Sequence, residues 1–257
     1  LDRSSAASDV YKRQALRIAE ASEDAFDPSI GSLVGLWGFG AEAAINHAPS
    51  AIERDTARSA VGWRRIELRG DREVLQPGGV RLDLSAIAKG FGADLVVAGL
   101  REAGIAGALV EVGGELHGYG SKPDGTRWRV LIEAGPEEID HSLEPRVLEL
   151  DGIAVATSGD RWHHYTRRDE HGDERRYTHT IDPRSGAPVE HAPIAVTVVA
   201  RDAMHADAWA TALTVLGETA GMALAAREGL AVRYLSRDGE GQLRETMTDA
   251  FRAHLAQ

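Results

Sequence analysis

Asp207 and Thr211 stand four residues apart in a stretch with helical apolar spacing, so a helix would send a carboxylate and a hydroxyl off one face, one turn apart. Both are hard oxygen donors, a pair suited to a Mg2+ ion shared with a substrate phosphate and unsuited to zinc. A plainer arrangement also accounts for them: Asp207 complements the positive end of the helix and Thr211 bonds back to a carbonyl. Taken alone, the pair favours that plainer arrangement. In Asp83-Leu84-Ser85-Ala86-Ile87-Ala88-Lys89-Gly90 a strand is expected to turn abruptly into a helix, which collects free amides, an acid and a lysine within a few residues. Such a corner suits a polyphosphate or nucleotide; its plainer alternative is a capped helix with Asp83 and Lys89 in solvent.

Three further segments have the right residue types. Gly113-Gly114 and Thr157-Ser158-Gly159-Asp160 read as tight turns that let backbone approach a ligand, although turn geometry alone explains the glycines. His179-Thr180-Ile181-Asp182-Pro183 is expected to end a strand ahead of the turn Arg184-Ser185-Gly186, which leaves His179 facing a cleft with an imidazole that titrates near neutrality. A single histidine is more often structural. His163 and His164 would point to opposite faces of a strand, which argues against a joint metal site.

The elements that must position these groups follow from periodicity. A helix tail is expected over Ala15 to Ala21, then an irregular stretch through Asp24-Ala25-Phe26-Asp27-Pro28 into the apolar run Leu33 to Phe39. A short helix should run from Pro49 to Ala60, with strands at Trp63 to Leu68 and Glu73 to Leu75 joined across Gly70-Asp71, and another at Val80 to Leu84. Ser85 is expected to cap a helix that buries Ile87, Phe91, Leu95 and Leu100 and stops at Gly104. Strands are expected at Ala108 to Val112, Leu116 to Tyr119, Trp128 to Glu133, Arg146 to Leu150, Ile153 to Ala156 and Ile194 to Ala200. Helices at Ala203 to Leu216 and Glu218 to Glu228 precede a hairpin, Val232 to Ser236 with Leu243 to Met247, and a short terminal helix. Long helices interrupting hairpin-linked strands make the class α+β, with largely antiparallel sheets packed against helices.

Composition narrows the partners. At 257 residues, 43% hydrophobic and 27% charged, the chain has the make-up of an ordinary globular protein. Forty acidic against 29 basic residues give a net charge of -11 and a pI near 5.4, and no Lys/Arg run could track a nucleic-acid backbone. An acidic protein that handles phosphates generally needs a divalent cation to offset repulsion. With no cysteine, thiolate chemistry and disulfides are excluded. The longest apolar stretches, such as Leu95 to Leu100, fall far short of the roughly 18 residues of a spanning helix. P-loop, zinc-protease and nucleophile-elbow motifs are absent, and Gly118-Tyr119-Gly120 lacks the third glycine of a dinucleotide fingerprint.

Asp9-Val10-Tyr11-Lys12-Arg13-Gln14 resembles the translation of a transposon-end adapter, so residues 1 to 14 are read as a non-native leader and 15 to 257 as a single domain.

In chain order, Ala25-Phe26-Asp27 with Leu33 to Gly40, Asp83 to Gly90, Val110-Glu111-Val112-Gly113-Gly114-Glu115, Ala156 to Asp160, His179 to Gly186 and Ala206 to Gly217 resemble the ApbE family of FAD:protein FMN transferases. The resemblance covers nearly everything from Ala15 on. It implies a T-fold-like ApbE domain whose native N-terminal segment, with a Met-Gly-Thr region, lies upstream of this chain. It further implies Mg2+ held by Asp207, Thr211 and the carbonyl of Ala86, and FAD contacted by Ala25, Phe26, Asp27, Asp83, Lys89, Thr180 and Ile181. His179 is the candidate base. The implied reaction moves FMN from FAD onto a Thr/Ser hydroxyl of an acceptor protein and releases AMP. Implied acceptors carry an Asp-x-x-Ser/Thr-Gly-Ala-Ser/Thr motif and include subunits of sodium-pumping quinone reductases and Rnf-type complexes. The implied location is the periplasm or the outer face of the inner membrane, through a lipid anchor. Arg161-Trp162 and Trp209 depart from the expected pattern. FAD hydrolysis to FMN and AMP, and non-catalytic flavin carriage, remain as alternatives.

Overall fold

A computed structural model describes residues 2–40, 48–69, 73–132, 145–159, 164–168, 173–190 and 193–256. The chain divides into two compact units, Leu1–Ser85 with Trp162–Ala192, and Ala86–Arg161 with Pro193–Gln257.

The first unit begins with α1 (Asp2–Ala21), whose buried Ala15, Ile18 and Ala19 follow helical spacing. The helix is continuous from Asp2, through the stretch read as a leader. It is followed by α2 (Gly31–Leu36), which occupies part of the apolar run that the sequence pattern left irregular. In α3 (Ala51–Ser59) Ser50 and Glu53 close a reciprocal capping box. The expected strand at Trp63 is instead a 3-10 turn, Trp63–Arg65, because Asp24 Oδ1 accepts the Trp63 indole N–H and an Arg64 N–H, both at 2.7 Å. β1 (Glu67–Arg69) then pairs antiparallel with β2 (Glu73–Leu75), while Gly70-Asp71 lie outside the described residues. At Val80 to Leu84 the expected strand reduces to a single parallel bridge between Ile30 and Arg81.

In the second unit α4 (Ser85–Glu102) leads to β3 (Ala108–Val112), β4 (Glu115–Tyr119), the hairpin β5 (Trp128–Ile132) with β6 (Arg146–Leu150), and β7 (Ile153–Ser158). The chain then passes through the first unit as two antiparallel pairs, β8 (His164–Arg168) with β9 (Glu174–Thr178), and β10 (Ile181–Asp182) with β11 (Ala187–Pro188). It returns as β12 (Ala195–Ala200), α5 (Ala203–Glu228), β13 (Ala231–Arg237), β14 (Leu243–Met247) and α6 (Asp249–Arg252).

The second unit's sheet runs β14-β13-β12-β7-β4-β3, every neighbouring pair antiparallel. Period-two alternation sorts its side chains. Val155, Val199, Ala231 and Met247 bury against Ile132, Leu148, Leu150 and Phe251, whereas Ala154, with Val110 and Val112 packed alongside, meets Ala93 midway along α4 and Ala203 at the start of α5. The class is α+β, as expected.

The two helices expected after Ala203 are present as α5, broken at Gly217 (φ 73°), where the Tyr234 hydroxyl donates to Leu213 O at 2.8 Å and Gly217 O at 3.3 Å. Two details of α4 depart from expectation. In α4 the buried positions are Ile87, Gly90, Ala93 and Val97, while Leu95 is exposed. Small residues win this face because a Cβ on Gly90 would lie 2.1 Å from the carbonyl oxygen of Ala203. Nor does Ser85 cap the helix: its own N–H and hydroxyl donate to Asp83 Oδ1, at 2.9 and 2.6 Å. Among the described residues no helix is long and apolar enough to cross a membrane.

Candidate functional site

In the second unit three elements bring charge together. The backbone of α4 approaches the start of α5 at Gly90, and Asp94 on α4 fixes the contact. Its Oδ1 accepts the Ala203 amide at 2.8 Å and lies 2.6 Å from Nδ1 of buried His117 on β4, and its Oδ2 accepts the Met204 amide at 2.9 Å. These bonds satisfy amides that a helix start leaves open. One turn further along α5, Asp207 is buried, and its Oδ2 accepts the Gly90 N–H at 3.1 Å. In a regular helix the same N–H faces the carbonyl of Ala86, one turn earlier on α4.

Lys89 Nζ lies 3.7 Å from Asp207 Oδ1 and is in direct contact with Glu115 Oε1. Glu115 is 2% exposed, and its Oε2 is buried with no hydrogen-bond partner among the described residues. Burial, helped by the nearby charge of Asp207, pushes the Glu115 carboxyl up to about 7 against the pull of Lys89. Burial likewise raises Asp207, opposed by Lys89 and the Gly90 amide. Thr211 follows on α5, half-buried, and among the described residues its hydroxyl makes no hydrogen bond; back-bonding to a carbonyl is done instead by Thr214, to Ala210 O at 2.8 Å. Lys89 and Asp207 are thus brought together, with Thr211 one turn on along α5 and Ala86 one turn before Gly90 on α4. When both carboxylates are ionised they outnumber the one ammonium, and the Thr211 hydroxyl and the Ala86 carbonyl are oxygen donors of the kind Mg2+ takes. Among the described residues no three His, Asp or Glu side chains form a metal cluster.

In the first unit the expected flavin contacts are arranged differently. Ala25 and Phe26 are buried, and the Phe26 N–H donates to Ser22 Oγ at 3.1 Å. Asp27 Oδ1 accepts both the N–H and hydroxyl of Ser29 at 2.8 and 2.6 Å, and its Oδ2 accepts the Trp63 N–H at 3.3 Å. Burial raises its pKa even so. Asp83 joins this segment through its N–H to Pro28 O at 2.9 Å. Thr180 is buried, its carbonyl accepting the Val189 N–H at 3.0 Å, and Ile181 packs with Leu33 and Trp37. His179 is half-buried beside Phe39, ring centroids 6.4 Å apart in an edge-to-face arrangement. Phe39 in turn stacks on Tyr165, whose hydroxyl donates to Trp37 O at 2.7 Å. The calls on Asp160, Arg161-Trp162 and His163 lie outside the described residues.

Sequence reasoning missed Glu115, Asp94 and His117. Glu115 directly follows the Gly113-Gly114 turn, a place where an acid is as readily left in solvent as folded inward.

Residues 7–234 match the model of the ApbE family. The chain is 35% identical over 231 residues to the FAD:protein FMN transferase of Salmonella typhimurium, spanning 88% of this chain and 64% of that protein. It is 34% identical over 244 residues to the enzyme of the same name from Vibrio cholerae, spanning 95% and 71%. Among solved structures, the apo form of the Pseudomonas stutzeri flavinyl transferase ApbE superposes with a TM-score of 0.83 at 38% identity, covering 95% of this chain and 73% of that one. The flavin transferase ApbE from Vibrio cholerae gives 0.84 at 34%, covering 96% and 76%. With the family model matched over most of its length and these relatives along nearly all of it, the chain belongs to the ApbE family.

Proposed function

We propose that this protein transfers FMN from FAD to a Thr or Ser hydroxyl of an acceptor protein and releases AMP. The observation that carries the reading is the buried Asp207 carboxylate accepting the Gly90 amide at the start of α4, in a chain of the ApbE family. Asp207, the unengaged Thr211 hydroxyl and the Ala86 carbonyl would hold Mg2+. When bound, the ion would draw charge from the diphosphate and stabilise the departing phosphate of AMP.

The chain's own residues supply the rest. Lys89 offers an ammonium to a phosphate oxygen, and flavin contacts at Ala25 to Asp27 and at Thr180 to Ile181 rest on family membership alone. The acceptor oxygen forms a bond to the FMN-side phosphorus as the bond from that phosphorus to the bridging oxygen breaks. We assign the hydroxyl proton to the His179 imidazole. The acceptor motif Asp-x-x-Ser/Thr-Gly-Ala-Ser/Thr, quinone reductase and Rnf-type subunits as acceptors, and a periplasmic location rest on family membership alone.

The test is incubation of the protein with FAD, Mg2+ and an acceptor carrying that motif. Flavin fluorescence that stays on the acceptor through acid denaturation, together with AMP release and loss of both in EDTA, is the expected result. Absence of covalent flavin would overturn the transfer reading, and steady FMN and AMP release without acceptor would replace it with hydrolysis.

A further inference from the structure

We infer that Glu115 is a positioning residue that holds the Lys89 ammonium away from Asp207, keeping that carboxylate open to a cation. The inference rests on the cation reading proposed above and gives a role to a residue outside the assigned ligands. Its basis is geometric. An ammonium on a flexible four-carbon stem carries one charge and three donors, so between two buried carboxylates its position decides which of them it neutralises more fully. Here it is in contact with Glu115 Oε1 and stands 3.7 Å from Asp207 Oδ1.

The sequence around Glu115 is built for that choice. Gly113 has φ 62°, and a Cβ there would come within 3.0 Å of Lys89 Cδ and 3.5 Å of Glu115 Oε2. The turn therefore leaves a channel for the lysine stem, and Glu115, first residue of β4, meets its head from a rigid strand. With the ammonium held there, Asp207 keeps the Gly90 N–H as its short contact and presents the rest of its carboxylate. Without Glu115, nothing balances the pull of Asp207 on Lys89. The ammonium would close on the carboxylate and compete with any cation for it.

The chain has only three lysines, Lys12, Lys89 and Lys122, so the side chain can be followed directly. In protein labelled with ε-13C lysine, wild type should show two resolved ε-proton shifts for Lys89, assigned by their loss in Lys89→Met. In Glu115→Gln, close in shape to wild type, those shifts should move. Unchanged Lys89 signals would overturn the ion-pair role.

The second arm is Mn2+ binding, read by electron paramagnetic resonance without FAD. Glu115→Gln should weaken it about 10-fold, the low end of what loss of a supporting residue costs a metal site. Lys89→Met should bind no more weakly than wild type, and Glu115→Gln/Lys89→Met should recover the affinity lost in Glu115→Gln. Equal Mn2+ affinity in Glu115→Gln, or a double variant no better than the single, would overturn the inference. Wild-type protein that binds no Mn2+ would overturn the cation reading itself, and the hold-off role with it, while the lysine spectra report separately on the ion pair.

Discussion

The two units both bury carboxylates beside their expected site residues, yet they use them in opposite ways. In the first unit Asp27 is fully engaged within its own loops: three donors from Ser29 and Trp63 occupy its oxygens, so the charge serves to hold the segment 25–29 against the turn at 62–63. In the second unit Asp207 and Glu115 face a single lysine, and one Glu115 oxygen has no hydrogen-bond partner among the described residues. A buried polar atom left unsatisfied costs about 1–3 kcal/mol, which a fold tolerates where something else is to bind. The lesson is that burial of an acid does not mark a binding site. Incomplete satisfaction of that acid does.

Three experiments bear on this contrast. The largest effect is expected from Gly90→Ala, whose added Cβ would meet the backbone of Ala203 and Met204 at 2.1 to 2.7 Å. Backbone cannot move aside as a side-chain tip can, so a loss of about 3 kcal/mol or more in urea unfolding is expected, together with loss of cation binding. Wild-type stability in this variant would mean that the two helices do not approach as described.

Next comes the paired substitution that separates the units. Asp207→Asn should lower Mn2+ affinity on the order of 100-fold, at least as much as loss of a supporting residue. Asp27→Asn should leave Mn2+ affinity unchanged and cost about 1–3 kcal/mol in denaturant unfolding, since its hydrogen bonds are structural. An Asp27 variant that weakened the cation as much as Asp207→Asn would erase the distinction drawn between them.

The smallest effect concerns pH. Glu245, half-buried in the second unit, is engaged at both oxygens, which accept from Arg146 at 3.1 and 2.8 Å and from Arg233 at 2.6 Å. Burial would raise its pKa, and these arginine bonds outweigh burial and lower it. A carboxyl with a depressed folded pKa contributes stability that is full above its unfolded value, near the usual 4.5, and is lost as pH falls through the folded value. Thermal unfolding of wild type should therefore weaken over that acid range, and Glu245→Gln should be less stable at neutral pH with a shallower acid decline. Parallel pH profiles for the two proteins would show that the arginines do not favour the ionised form.

Much of the scaffold was legible because it depends on local periodicity. The strand Arg146–Leu150 and the hairpin about Asp238-Gly239 follow from alternation and turn residues, and Gly217 marked the break in α5. What escaped depends on tertiary contact. The buried face of α4 was misread because Leu95 is large and Gly90 small, yet only glycine admits the backbone of Ala203. The strand read at Trp63 became a turn because Asp24, 39 positions away, captures its indole. Spacing put Asp207 and Thr211 on one helix, but that pair alone favoured a structural reading over a cation site. Glu115 was not legible, since nothing local distinguishes an acid folded inward after a glycine turn from one left in solvent.

The central claim is that the corner of α4 and α5 seats a cation, and diffraction from crystals soaked in Mn2+ tests it most directly. The account predicts an anomalous peak roughly 2 Å from an Asp207 carboxylate oxygen, the Thr211 hydroxyl and the Ala86 carbonyl. A peak elsewhere, with Lys89 closed onto Asp207, would contradict it.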